Sequence, residues 1–289
     1  MSLPRFTWSS DALPDQTMID VFERDGALII ENFVDADGRR RLVERIDDLV
    51  DGFDPETVRT VFSTSEQSHA ADTYFRESGD RIRFFLEEGA LANGELTQPK
   101  SRVLNKIGHA LHDLDPVFDG FSRMPALDRL ARGLGQTDPG LVQSMVIFKQ
   151  PRIGGEVSLH QDATFLHTEP VSVIGFWFAL EDADETNGCL YALPGGHKAG
   201  LQERFHYNAS GNLVMEPVAA VDWDLDAAIP LVAPAGTLVV LHGLLPHRSG
   251  PNTSPRSRLA YTLHVVDRAA AWSPDNWLRR ADTMPVRGF

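Results

Sequence analysis

Along the first 140 residues apolar positions recur mostly at helical spacing, and beyond them the period shortens to that of strands. Met18, Ile19, Val21 and Phe22 follow an Asp-rich start and predict a helix over 15–24, which Asp25-Gly26 breaks. The apolar run 27–33 predicts a strand. Asp35 is placed to cap a second helix carrying Leu42, Val43, Ile46 and Leu49, closed by the turn Gly52-Phe53-Asp54-Pro55. Residues 56–99 have weak periodicity apart from Ile82, Phe84, Phe85 and Leu86. They predict a long loop with one or two short strands, and a loop of that length is a candidate lid. Helical spacing returns over 106–118 and 126–134, the second stretch closed by Gly133 and Gly135.

After residue 140 come short apolar runs at 141–149, 156–160, 171–180, 189–193, 213–218, 237–241 and 259–266, cut by Gly, Pro and Asn. That rhythm predicts a sandwich or jelly roll rather than alternating βαβ units. There is no internal repeat, low-complexity tract or linker. The expectation is one domain over 1–289, mainly β with flanking helices: a helical portion at about 1–140 and a β-core at about 141–270.

Composition adds few constraints. A chain of 289 residues that is 42% hydrophobic and 24% charged can bury a sizeable core. A net charge of -14 disfavours nucleic acid and anionic membranes as partners, while leaving room for a local basic pocket that takes a small acid. The one dense basic run, Arg39-Arg40-Arg41, lies in a helical pattern among acids and reads as a solvated face. Cys189 is the sole cysteine, so an intramolecular disulfide is impossible; it reads as a small buried hydrophobe in a reducing compartment. The first residues carry no apolar signal-like stretch, and no run nears the roughly 18 apolar residues of a membrane span. A cytoplasmic monomer acting on a small molecule is expected.

The chemistry centres on His160-Gln161-Asp162. Alone, the tripeptide is near what chance gives. On a strand, residues i and i+2 share a face, so an imidazole and a carboxylate project together. Two imidazoles and one carboxylate on one face of an octahedron leave three positions open, the arrangement of non-haem Fe(II) oxygenases. Structural zinc closes all four of its positions and favours cysteine, which is nearly absent here. The third ligand has to come from another histidine. His247 is favoured, because it follows the 237–241 strand and precedes a turn-rich segment leading to Arg258. If that segment is a hairpin about Asn252-Thr253, His247 and Arg258 stand opposite, and the guanidinium can hold the far carboxylate of a dicarboxylate. The plainer reading is a set of scattered structural residues, with Arg258 in a surface ion pair. His242 and His264 lie in apolar strand contexts and are expected to be core histidines.

Several stretches together carry a family resemblance. They are Leu104-Asn-Lys-Ile-Gly-His-Ala-Leu-His112, Val142-Gln-Ser-Met-Val-Ile-Phe-Lys-Gln-Pro151, Gly154-Gly-Glu-Val-Ser-Leu-His-Gln-Asp-Ala-Thr-Phe165 and Asn187-Gly-Cys-Leu-Tyr-Ala-Leu-Pro-Gly-Gly-His197. The segments 242–252 and 256–264 and Trp272-Ser-Pro-Asp-Asn-Trp277 complete them. The chain resembles the phytanoyl-CoA dioxygenase family of Fe(II)/2-oxoglutarate-dependent oxygenases, notably its domain-containing members. The resemblance implies a double-stranded β-helix (jelly-roll, cupin-like) core with His160, Asp162 and His247 on iron. It implies Arg258 and Ser249 on the distal carboxylate of 2-oxoglutarate, Lys106, Met145 and Trp177 lining the cofactor pocket, and Gln161 adjoining it. One departure is Pro194-Gly195-Gly196-His197, where the family usually has Pro-Gly-Ser-His; the 162–177 segment is also about one residue short.

The implied activity is hydroxylation of an aliphatic C–H in a small organic or lipid-like acid, an acyl-CoA included, consuming O2 and releasing succinate and CO2. Asp162 favours hydroxylation, since related halogenases carry a small residue at that position. Coenzyme A would need a local basic patch, and the sequence offers only scattered Lys100, Arg102, Lys149 and Arg152. The alternatives are a jelly-roll sensor that binds metal and 2-oxoglutarate without a substrate of its own, and a purely structural cupin-like protein.

Overall fold

Leu259, Tyr261, Leu263 and Val265 sit in one apolar core and Ala260 in another, so the strand carrying them has a core on each face. That strand belongs to a computed structural model that describes residues 2–9, 14–55, 58, 60–62 and 73–289. Thirteen strands supply its two main sheets: β1 (Arg5–Thr7), β2 (Ala27–Glu31), β3 (Ile82–Leu86), β4 (Leu104–His109), β5 (Pro139–Lys149), β6 (Val157–His160), β7 (Ile174–Ala179), β8 (Leu190–Ala192), β9 (Ile229–Leu231), β10 (Leu238–His242), β11 (His247–Ser249), β12 (Arg258–Asp267) and β13 (Arg287–Gly288). The large sheet runs β1-β2-β10-β7-β12-β5-β4-β3, with β13 beside β5; the small one runs β9-β8-β11-β6. Leu190, Ala192 and Leu231 of the small sheet pack with Ile29, Val239 and Ala260 of the large one, closing the jelly roll.

Helices cover the outer face of the large sheet. Asp15 caps α1 (Gln16–Asp25) by accepting from the Met18 amide at 2.8 Å, and Gly26 ends it with a left-handed φ of 80°. Asp35 caps α2 (Ala36–Gly52) through the Gly38 amide at 2.6 Å. Met18, Phe22, Leu42 and Ile46 press on Leu28, Ile30, Phe176 and Leu238, which accounts for the helical period read from the chain. The arginine run lies on α2, where Arg40 is exposed and pairs with Glu44. Cys189 is buried, and burial pushes its thiol up to about 12.

Two expectations change. The 106–118 stretch is not one helix. Residues 104–109 form β4, in register with β5 (Lys106 against Ile147, Ile107 against Val146), and short helices follow, α3 (Leu111–Leu114) and α4 (Pro116–Ser122). Leu104, Ile107 and Leu111 happen to fall at helical spacing, but a strand buried on both faces leaves no clean alternation to read. Asp115, accepting from Val117 and Phe118, fixes where α4 begins. The helical and β portions also do not divide at 140, because β1 to β4 all join the large sheet.

Of the 56–99 loop, Ile82–Leu86 is an edge strand and Thr73–Arg76 a helical turn. Residues 63–72, the middle of the candidate lid, lie outside the described residues. No helix among the described residues is long and apolar enough to cross a membrane. The 268–289 tail returns across the domain, where Arg280, Arg287 (2.8 Å) and Arg123 (2.7 Å) converge on Asp113.

Candidate active site

Strand pairing brings the two distant histidines together. His160 ends β6 and His247 begins β11, and the two are direct register partners with ring centroids 4.3 Å apart. Asp162 follows two residues beyond the end of β6, in a short 3-10 turn rather than on the strand itself, so the same-face argument reaches it only through a bend. Its Oδ1 stands 3.8 Å from His160 Nε2 and 3.7 Å from His247 Nε2. Those gaps are too long for hydrogen bonds and suit one cation lying about 2.0–2.2 Å from each donor. Among the described residues, this is the one cluster of three such donors.

The backbone sets both imidazole tautomers. His160 Nδ1 meets the Ser158 carbonyl at 2.9 Å, and His247 Nδ1 meets the Leu245 carbonyl at 2.9 Å. A carbonyl only accepts, so each Nδ1 carries the proton and each Nε2 offers its lone pair inward. Burial holds His160 near 4, so it stays neutral at pH 7. Burial alone would raise the Asp162 carboxyl, but the surrounding imidazoles of His264, His247 and His160 outweigh it and hold the group well below its usual range.

His264, expected in the core, is part of this site. Its Nε2 lies 3.4 Å from Asp162 Oδ2. Beside it in register, Gly175 leaves the space that the carboxylate fills, since a Cβ there would stand 2.7 Å from Asp162 Oδ2. Gly175→Ala is therefore expected to fold but to weaken metal binding by roughly 10–100-fold, the range for a lost outer-shell support. Equilibrium metal titration checks this, and unchanged affinity contradicts it.

A cavity of about 260 Å³ opens beside the cluster, between the two sheets. Alternation along β12 points Arg258, Thr262 and His264 into it, and Trp177 of β7 and Met145 of β5 flank Thr262 in register. Lys106, Met145, Trp177, Ser249 and Arg258 all line the cavity. Arg258 is only 1% exposed, and its Nε and Nη1 have no hydrogen-bond partner among the described residues. Burial lowers it only to about 10, so it is a cation in need of an anion rather than a surface ion-pair partner. It also stands in the opposite sheet to His247, not across a hairpin. Residues 250–257 cross between the sheets, and β11 pairs with β6 and β8 while β12 pairs with β5 and β7.

Lys106 is buried over the Phe62 ring, 3.1 Å from its centroid, and burial drives its ammonium well below the ordinary range. Gln161 turns away from the cavity. Its amide holds the Gly200 and Leu244 carbonyls and the Gln202 amide, so its work is to fix loops around the site. Lys149 likewise donates to the carbonyls of Gly155, Ser249 and Gly250.

The donor set and the unmatched buried groups (Arg258 and Asp162 Oδ2) fit a divalent metal and a dicarboxylate. The family model for phytanoyl-CoA dioxygenase (PhyH) matches residues 22–260. The chain belongs to the phytanoyl-CoA dioxygenase family. It is thereby an enzyme of the Fe(II)/2-oxoglutarate-dependent dioxygenase class. It is 45% identical over 270 residues to the phytanoyl-CoA dioxygenase of Arabidopsis thaliana, covering 93% of this chain and 94% of that one. It is 43% identical over 283 residues to the bovine (Bos taurus) phytanoyl-CoA dioxygenase domain-containing protein 1, covering 93% and 96%. Among solved structures, EctD of S. alaskensis with 2-oxoglutarate and 5-hydroxyectoine superposes with a TM-score of 0.64 at 20% identity, covering 95% of this chain and 86% of that one. The epimerase SnoN, in complex with Fe3+, alpha ketoglutarate and nogalamycin RO, gives 0.66 at 13% identity, covering 95% and 92%. Both show the shared fold. Phytanoyl-CoA dioxygenase membership thus rests on the chain's own close relatives.

Proposed function

We propose that His160, Asp162 and His247 hold Fe(II), that Arg258 and Ser249 receive the distal carboxylate of 2-oxoglutarate, and that Lys106, Met145 and Trp177 line the cofactor's place. On this reading the enzyme hydroxylates an aliphatic C–H of a small organic or lipid-like acid. Iron with 2-oxoglutarate and O2 supplies the oxidising power, with succinate and CO2 released. The chain's own residues do the rest: Arg258 fixes the cofactor's orientation, the two Nδ1–H bonds fix the ligand lone pairs, and the apolar walls keep water out.

The observation that carries this reading is the buried Arg258 without an acceptor, lining the same cavity as the His-Asp-His cluster. A carboxylate at Asp162, where related halogenases carry a small residue, favours hydroxylation. Arg248 supports an acidic substrate, because it lines the cavity, is half-buried, and leaves its Nε without a partner. The relatives' name points to an acyl-CoA. A cavity of about 260 Å³ that also takes 2-oxoglutarate has room for the acyl end of such a molecule and not for the nucleotide.

A metabolite screen for stimulated succinate release, followed by mass analysis for a gain of one oxygen, tests the assignment. A compound that raises turnover and gains one oxygen is the expected result. Steady 2-oxoglutarate consumption that no pool stimulates would favour the sensor instead.

A further inference from the structure

One corner of the cavity is left unused by the proposed cofactor contacts. Its wall is Trp277, 2% exposed, stacked on Phe75 with centroids 4.5 Å apart and set edge-on to His109 at 5.2 Å. The indole Nε1 has no acceptor among the described residues, although buried indole N–H groups nearly always find one. The indole is held firmly in place. Asn276 bonds both backbone groups of His167, at 2.8 and 3.1 Å, and Asp275 takes Arg204 at 2.7 Å and His206 at 3.0 Å.

The proton on His109 can be placed from its neighbours. Ser78 Oγ has a single hydrogen and lies 2.5 Å from the Phe75 carbonyl, which can only accept, so that hydrogen points there. His109 Nδ1, 2.8 Å from the same Oγ, must then be the donor. Its Nε2 keeps a lone pair on a ring that lines the cavity. Burial, and next the nearby Lys106, push His109 well below its ordinary range, so the ring stays neutral. Trp277 and His109, in edge-to-face contact, therefore bring one unmatched donor and one acceptor to the wall of the same cavity.

We propose that Trp277 and His109 recognise the polar end of the organic substrate, and that this end is a hydroxyl or a primary amide rather than a carboxylate. A hydroxyl accepts from the indole N–H and donates its own hydrogen to His109 Nε2. A carboxylate has no hydrogen to give, and its second oxygen would face the imidazole lone pair. Phe165, Phe205, Leu166 and Met215 line the cavity for an apolar body, and an acid group on the same molecule falls to Arg248. The inference rests on the reading that this cavity holds a substrate beside 2-oxoglutarate.

The test uses the full chain loaded with 2-oxoglutarate and Zn(II), a diamagnetic stand-in for iron. Four matched probes are titrated: cyclohexylmethanol, cyclohexanecarboxamide, cyclohexanecarboxylate and methylcyclohexane. Binding is read from the indole N–H signals of the five tryptophans, that of Trp277 being the one missing in Trp277→Phe. The alcohol and amide are expected to shift that signal and to bind about tenfold tighter than the other two, the effect of one to two net hydrogen bonds. Trp277→Phe, which keeps a ring against Phe75, should erase most of that preference. A carboxylate that binds as well as the alcohol, a preference that survives in Trp277→Phe, or no shift with any probe would overturn the proposal. If the variant fails to fold, the wild-type ranking still decides. The ranking needs no turnover, so a failed corner and a failed iron site give different results.

Discussion

Asp162→Ala is expected to abolish metal binding while leaving the apo fold intact. The carboxylate is 6% exposed and faces three imidazoles, and its Oδ2 has no hydrogen-bond partner among the described residues. Without metal it is a buried charge whose removal leaves no large cavity, so apo stability should change little or rise. With metal it is a ligand, and its loss should exceed the roughly 10–100-fold cost of losing an outer-shell partner. The two states separate cleanly in a melting experiment. Wild type at 100 times its metal Kd gains about 2.7 kcal/mol of stability by linkage, and the variant should gain almost none. Equal metal-induced stabilisation of both proteins would remove Asp162 from the site.

Arg258→Ala should act on the cofactor rather than the metal. Removing one partner of a buried, hydrogen-bonded charge pair costs about 3–5 kcal/mol. That converts to about 10²- to 4 × 10³-fold in 2-oxoglutarate affinity at roughly 1.4 kcal/mol per tenfold. Metal affinity in the absence of 2-oxoglutarate should stay within a few-fold of wild type. Arg258 packs against Trp177, 5.5 Å from its ring, and Arg258→Met keeps much of that contact without the charge. Both variants should lose 2-oxoglutarate binding alike. Retention in Arg258→Met would show that packing, not charge, holds the cofactor. Calorimetric titration of 2-oxoglutarate reads all three proteins.

Much of this site is legible in the amino-acid sequence. The apolar run 259–266 predicts a strand, and on that strand Arg258 shares a face with Thr262 and His264. The caps Asp15 and Asp35 are legible because N-cap chemistry is local. What escapes the sequence is long-range or ambiguous in period. Strand β4 resembles a helix because both of its faces are buried. Turn residues between His247 and Arg258 suggest a hairpin, but sequence does not say which sheet a strand joins once the chain leaves the turn. The role of Gly175 cannot be read from spacing, since it is defined by the Asp162 oxygen its missing Cβ makes room for. His264 and Trp277 carry signals, an imidazole on the Arg258 strand and a Trp-rich motif, but only the fold shows which cavity they face. Gln161 misleads by adjacency, because its neighbours His160 and Asp162 face the cluster while its own amide bonds backbone on the other side.

If His160, Asp162, His247 and Arg258 form an iron and 2-oxoglutarate site, the wild-type protein should release labelled CO2 from the C1 carboxylate of 2-oxoglutarate without added substrate. That release should be slow, stop with a chelator, return with Fe(II) and not return with Zn(II). No release under any metal, or release indifferent to the chelator, would rule the site out.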